Sequence, residues 1–126
     1  MSRFVRPQTR TLTLANGDQL IVRERLTAGE QRAQYARMYA VTDGRPQVIP
    51  FAAGVGVILA YLLDWNLKDD ADQAVVIRDL SAEDLQQVID SLDTESFHEI
   101  RQAIEAHEAS MLEARAAEKK TDGGTP

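Results

Sequence analysis

Two clusters in this 126-residue chain carry residue types that could do chemistry. Asp64-x-Asn66-x-Lys68-x-Asp70-x-Asp72 spaces its side chains as a calcium loop does. The match breaks at three places: Lys stands at the fifth position, Asp where the turn needs Gly, and Val75 where a bidentate Glu closes the sphere. An ammonium inside a cation site repels the cation, so the run reads as a solvated acidic loop. His98-Glu99 on a helix suggests a zinc metalloprotease, but position 102, where the second His belongs, is Gln. His107 falls on an apolar stripe and reads as a partly buried core histidine. With no Cys in the chain, thiol nucleophiles, thiolate metal sites and disulfides are excluded. No Ser sits in a nucleophile elbow and no glycine-rich phosphate loop follows a strand. The carboxylates lie mostly on exposed helix faces. These residues point away from an enzyme and call for neither cofactor nor metal.

The elements that would position them can be read from spacing. Thr11-Leu-Thr-Leu-Ala-Asn-Gly-Asp-Gln-Leu-Ile-Val-Arg-Glu-Arg25 predicts a β-hairpin around Asn16-Gly17. A two-residue turn would split its apolar residues between faces. A three-residue loop with Gly17 in the left-handed conformation pairs Leu12 with Leu20 and puts Leu12, Leu14, Leu20 and Val22 on one face. Thr27-Ala-Gly-Glu30 is a capping box opening a helix over about 28–41, with Tyr35, Met38 and Tyr39 on a stripe that Asp43-Gly44-Arg45-Pro46 ends.

From Pro46 to Leu63 no residue is charged. A helix over about 50–65 would place Phe51, Val55, Ile58 and Leu62 on one side and Ala53, Gly56, Leu59, Ala60 and Leu63 on the other. Apolar all round, such a helix belongs in a core or a membrane. Its sixteen residues reach roughly 24 Å, short of a ~30 Å hydrocarbon layer. The reading is a buried central helix. Val75-Val-Ile77 suggests a short strand. Ser81 caps a helix over 81–92 whose Leu85, Val88, Ile89 and Leu92 form a one-sided apolar face. Thr94 is expected to cap a last helix over 94–118, in which Phe97, Ile100, Ile104, His107 and Met111 recur in steps of three and four. That spacing docks a helix on a partner, within the domain or outside it. Residues 119–126 are polar and expected to be disordered. The whole predicts one domain over 1–118, mainly α with a small N-terminal β-hairpin (an α+β class), compact around a central apolar helix.

Charge divides the chain. Residues 1–45 hold eight Arg against four acids, net +4, whereas 64–118 hold four basic residues against fifteen acids, net −11. The acidic part repels phosphates, and the N-terminal arginines lack interleaved aromatics, so nucleic acid is not an expected partner. The absence of Cys and of an apolar leader core suggests an intracellular, cytoplasmic location.

Three blocks, in order, resemble the tail assembly chaperones of long-tailed (siphovirus-like) bacteriophages and their prophages. They are Arg10-Thr-Leu-Thr-Leu through Val22-Arg-Glu-Arg-Leu-Thr-Ala-Gly-Glu30; Ala60-Tyr-Leu-Leu-Asp-Trp-Asn-Leu-Lys-Asp-Asp70; and Leu92-Asp-Thr-Glu-Ser-Phe-His-Glu-Ile-Arg-Gln-Ala-Ile-Glu-Ala-His-Glu108 with its charged, Ala-rich continuation. The resemblance implies a mostly helical protein that acts in the cytoplasm of the bacterial host cell, coats the long, hydrophobic tape measure protein until the tail tube polymerises, and is absent from the finished particle. It also implies contacts with other tail proteins and, for many members, a longer form made by ribosomal frameshifting near the end of the reading frame, where Lys119-Lys120 could be encoded by an A-rich slippery run. It carries over no active site.

The residues themselves suggest how such a protein binds. Tyr61 and Trp65, one helical turn apart, could anchor a partner. Phe97, Ile100, Ile104 and Met111 could cover an amphipathic helix by helix-in-groove contact. The acidic half would keep the complex soluble, and a homo-oligomer would add avidity. The competing expectations are a structural tail-completion or head–tail connector component, a small membrane-associated protein using 46–63 as its span, and an acidic antagonist of a host protein.

Overall fold

The computed structural model describes residues 3–48 and 50–123. Its fold is mixed α+β: four helices and a small antiparallel sheet enclose one core. Strands β1 (Thr9–Thr13) and β2 (Gln19–Arg23) form the predicted hairpin, with Leu12 opposite Leu20. Leu14 N–H donates to Asp18 O (2.7 Å), which leaves a three-residue loop with Gly17 at φ +91°. The register turns Leu14, Leu20 and Val22 into the core, with Leu12 packed at its margin.

Helix α1 (Ala28–Met38) opens on the expected capping box: Glu30 N–H donates to the Thr27 hydroxyl (3.1 Å) and Thr27 N–H to the Glu30 carboxylate (2.8 Å). It ends three residues before the predicted 41. Tyr39 begins β3 (Tyr39–Thr42), which pairs with β4 (Arg45–Val48) across Asp43-Gly44, both residues at positive φ. Aromatic and β-branched residues before a two-residue Asp-Gly turn favour a hairpin, and Pro46 biases Arg45 away from helix.

Helix α2 (Pro50–Tyr61) is the buried central helix, packed against α1, α3 and α4. Val57, Ile58, Leu59 and Ala60 are all buried. The side chain of Phe51, expected on the same face, lies outside the described residues. The helix is shorter than the predicted 50–65, because β5 (Leu62–Trp65) leaves it to pair antiparallel with β2. The sheet order is therefore β1-β2-β5, a strand more than the sequence suggested. Trp65 pairs with Leu20, Asp64 with Ile21 and Leu62 with Val22, so Leu63 is an extra bulged residue. A bulge shifts the alternation by one, which puts Leu62 and Trp65 on the same inner face three residues apart. The i, i+3 spacing that reads as a helix comes from this bulge.

The Val75–Ile77 segment is not a strand; only Ala74 forms an isolated bridge, with Lys68. Ile77 is nonetheless buried, and Trp65 Nε1 donates to Val75 O (2.7 Å). Helix α3 (Ala82–Asp90) is capped by Ser81 as expected and buries Leu85 and Ile89. Helix α4 (Thr94–Gly123) is capped one residue earlier than predicted: Asp93, not Thr94, accepts from Ser96 N–H (2.8 Å). The helix also continues to Gly123 through part of the segment expected to be disordered, consistent with the helix-favouring Ala, Arg, Glu and Lys leading into it. Residues 124–126 of that segment lie outside the described residues. No helix among the described residues is long and apolar enough to cross a membrane, and the twelve residues of α2 reach only about 18 Å.

Candidate functional site

The structure corrects the expected partner surface. Phe97, Ile100 and Ile104 are buried, the two isoleucines completely, along with Tyr61 and Trp65. These five side chains belong to the core of their own domain, where α4 packs on α2. Of the six residues singled out, only Met111 lies at the surface, half-buried at the edge of a groove. The heptad-like stripe of α4 is thus an intramolecular seam over most of its length.

The two chemically suggestive clusters are also engaged in structure. Asp64 is an ion-pair partner of Arg78 (2.8 Å), whose hydrogen bond to it holds the Asp64 carboxyl below the usual carboxylate range. Asp69 accepts from Ala71 N–H and Gln73 N–H (2.9 and 3.0 Å), and Lys68 pairs with Asp72 (3.6 Å). Among the described residues no group of three His, Asp or Glu is placed to hold a metal ion. His98 is exposed beside Arg101. His107 is buried as expected: its Nε2 lies 3.0 and 3.1 Å from the carbonyls of Arg23 and Glu24, so that nitrogen carries the proton and donates. Its ring meets Tyr61 edge-on at 5.7 Å.

This contact fixes α4 against the end of β2 and so sets the spacing between α4 and α1. Arg23 completes the frame, donating to Ala60 O at the end of α2 (2.9 Å) and pairing with Glu30 at the start of α1 (2.8 Å). A guanidinium at a helix C-terminus also complements the partial negative charge there.

Between α1 and α4 the frame leaves an open groove of about 640 Å³. Helix α1 contributes Gln31, Gln34, Tyr35 and Met38, and α4 contributes Glu108, Met111, Leu112 and Arg115. Each set runs i, i+3, i+4, i+7, so each helix presents one continuous stripe to the groove. Tyr35 and Leu112 are large apolar residues left substantially exposed. The N-terminal segment closes one side with Arg3 and Arg6, and Arg25 stands at the link into α1.

Two polar features mark the groove floor. Gln34 is only 5% exposed, yet its Oε1 has no hydrogen-bond partner. An unpaired buried carbonyl of this kind costs about 1–3 kcal/mol. The Tyr61 hydroxyl is pushed well above the ordinary phenol range by burial and by Glu108, to which it hydrogen-bonds, so it stays neutral at physiological pH. The charge of the rim is uneven. Glu108 is engaged by Tyr61 and Glu24 by Arg10 (3.6 Å), whereas Arg3, Arg6, Arg25 and Arg115 make no ion pair among the described residues. The groove is therefore suited to non-covalent binding of a segment that brings apolar side chains. Its one local signal is the adjacent Met111-Leu112 in an otherwise charged helix end. Comparison with known protein families, with curated proteins and with solved structures finds no match to this chain.

Proposed function

We propose that this chain is a tail assembly chaperone of a long-tailed bacteriophage or prophage. It holds the tape measure protein soluble during tail morphogenesis and is left out of the mature particle. The observation that carries the reading is the groove between α1 and α4, two facing helical stripes with apolar residues exposed to solvent. A single exposed Leu needs no explanation, but facing stripes provide the surface on which an amphipathic helix docks. The ordered resemblance of residues 10–30, 60–70 and 92–108 to tail assembly chaperones supports the same conclusion. So does the net −11 of residues 64–118, which opposes self-association of a loaded complex through like-charge repulsion.

The contact surface in this reading is Tyr35, Met38, Met111 and Leu112 rather than the stripe from Phe97 to Ile104. Deleting 94–118 would remove Phe97, Ile100 and Ile104 from the core, so it does not test the mechanism. The discriminating experiment is co-expression with the tape measure protein from the same genome, comparing the native chain with a Tyr35→Asp/Leu112→Asp variant. The native chain keeps the tape measure protein in the soluble fraction, and the variant, still folded by circular dichroism, does not. Equal solubility with and without the native chain would exclude the chaperone role.

A further inference from the structure

We propose that the α1–α4 groove selects amphipathic helices that carry carboxylates beside their apolar face, with four arginines that make no ion pair among the described residues as the selecting charges. The inference rests on the reading of this groove as a helix-binding surface and adds the chemistry of what it takes.

Geometry gives the occupant its shape. Gln31, Gln34, Tyr35 and Met38 face Glu108, Met111, Leu112 and Arg115 across the groove. Two stripes at helical spacing, one from each helix, line the same open groove. A helix, about 10 Å across, laid along the groove would cover the exposed Tyr35 and Leu112 with its apolar ridge.

Charge selects among helices. Arg3, Arg6, Arg25 and Arg115 all line the groove, and none makes an ion pair among the described residues. Of the two carboxylates at the same place, Glu24 pairs with Arg10, whereas Glu108 hydrogen-bonds the neutral Tyr61 hydroxyl and keeps its charge. The lining therefore carries four arginines against the charges of Glu24 and Glu108, net +2, although the chain as a whole is at −6. At physiological salt the screening length is about 8 Å, so nearby arginines outweigh the distant acidic surface. Guanidinium forks also pair with carboxylates bidentately, which adds geometry to attraction.

The test uses the full chain and two labelled peptides of roughly 18 residues, long enough to form helix. Both have the same Leu/Ala face, and one carries Glu on its flanks where its twin carries Lys. Fluorescence anisotropy at physiological salt should give the Glu peptide about tenfold tighter binding than the Lys peptide. Arg25→Glu with Arg115→Glu should abolish or reverse that preference while leaving the thermal melt unchanged, since neither arginine makes an ion pair among the described residues. Equal affinity for both peptides would overturn the charge selection and leave the groove reading standing. Binding of neither peptide would overturn both. Displacement of the Glu peptide by a single-stranded oligonucleotide of equal affinity would also overturn the inference, because the arginines would then be reading anionic charge without the helix.

Discussion

Replacing Ile104 by Ala tests where the apolar stripe of α4 belongs. Ile104 has no exposed surface and lies in the core cluster with Leu20, Val22, Ile58 and Ile100. The substitution removes three buried carbons, a transfer loss of about 2.4 kcal/mol at ~0.8 kcal/mol each. The cavity left behind adds to this, giving a total of about 2–5 kcal/mol. With a urea m-value of about 2 kcal/mol/M, the unfolding midpoint should fall by about 1 M or more. Leu112→Ala, on the same helix but 61% exposed, should change stability by no more than about 0.5 kcal/mol. Equilibrium urea unfolding followed by circular dichroism at 222 nm measures both. The reasoning is refuted if Ile104→Ala unfolds at the native midpoint, because the stripe would then be a free surface and not a seam.

Other consequences follow from particular contacts. A Cβ at Gly54 would stand 2.7 Å from Arg101 Cδ and 3.2 Å from Phe97 Cζ, where α2 crosses α4. Gly54→Ala should therefore lower the melting temperature, overpacking of about 1–3 kcal/mol outweighing the ~1 kcal/mol that Ala ordinarily adds inside a helix; a rise in melting temperature would show that the crossing is looser. His107→Ala removes the donor shared by the Arg23 and Glu24 carbonyls and should cost about 1–3 kcal/mol, with greater solvent exchange of the amides around residue 24. The depressed pKa of Asp64 means its pairing with Arg78 stabilises the fold above the ordinary carboxylate pKa of about 3.9 and is lost as pH falls through the lower folded value. Arg78→Ala should accordingly lower stability at pH 7 and make no difference near pH 2; an equal effect at both would mean that the ion pair is not the cause.

The parts of this fold that could be read from sequence are those where one periodicity acts alone. The hairpin over β1 and β2 is legible to its register, because alternating leucines and a left-handed Gly17 leave one arrangement that gathers them on one face. Helix α3 is legible from Ser81 and a regular apolar face. Strand β5 is hidden because the bulge at Leu63 gives a strand the spacing of a helix, directly after a helix of the same composition. The hairpin over β3 and β4 is hidden for a related reason: Tyr35, Met38 and Tyr39 keep helical spacing across the end of α1. The Asp43-Gly44 turn was visible as a helix stop but not as the centre of a hairpin. Of the groove residues, Met111 stands out in the sequence through its stripe, whereas nothing in the spacing joins Gln34, Tyr35 and Leu112 into one surface. The groove exists only once His107 and Arg23 fix α4 and α1 at their distance, and contacts 84 residues apart in sequence leave no local pattern.

The central claim is that this chain escorts a long helical protein and then leaves. It is tested most directly by tagging the chain in cells assembling the particle, recovering it from the soluble fraction, and analysing both its partners and the purified particles by mass spectrometry. The account predicts the tape measure protein as the major partner, loss of that partner in the Tyr35→Asp/Leu112→Asp variant, and no copies of the chain in finished particles. Persistence of the chain in purified particles, with no tape measure protein recovered, would contradict it and assign the chain a structural place in the tail.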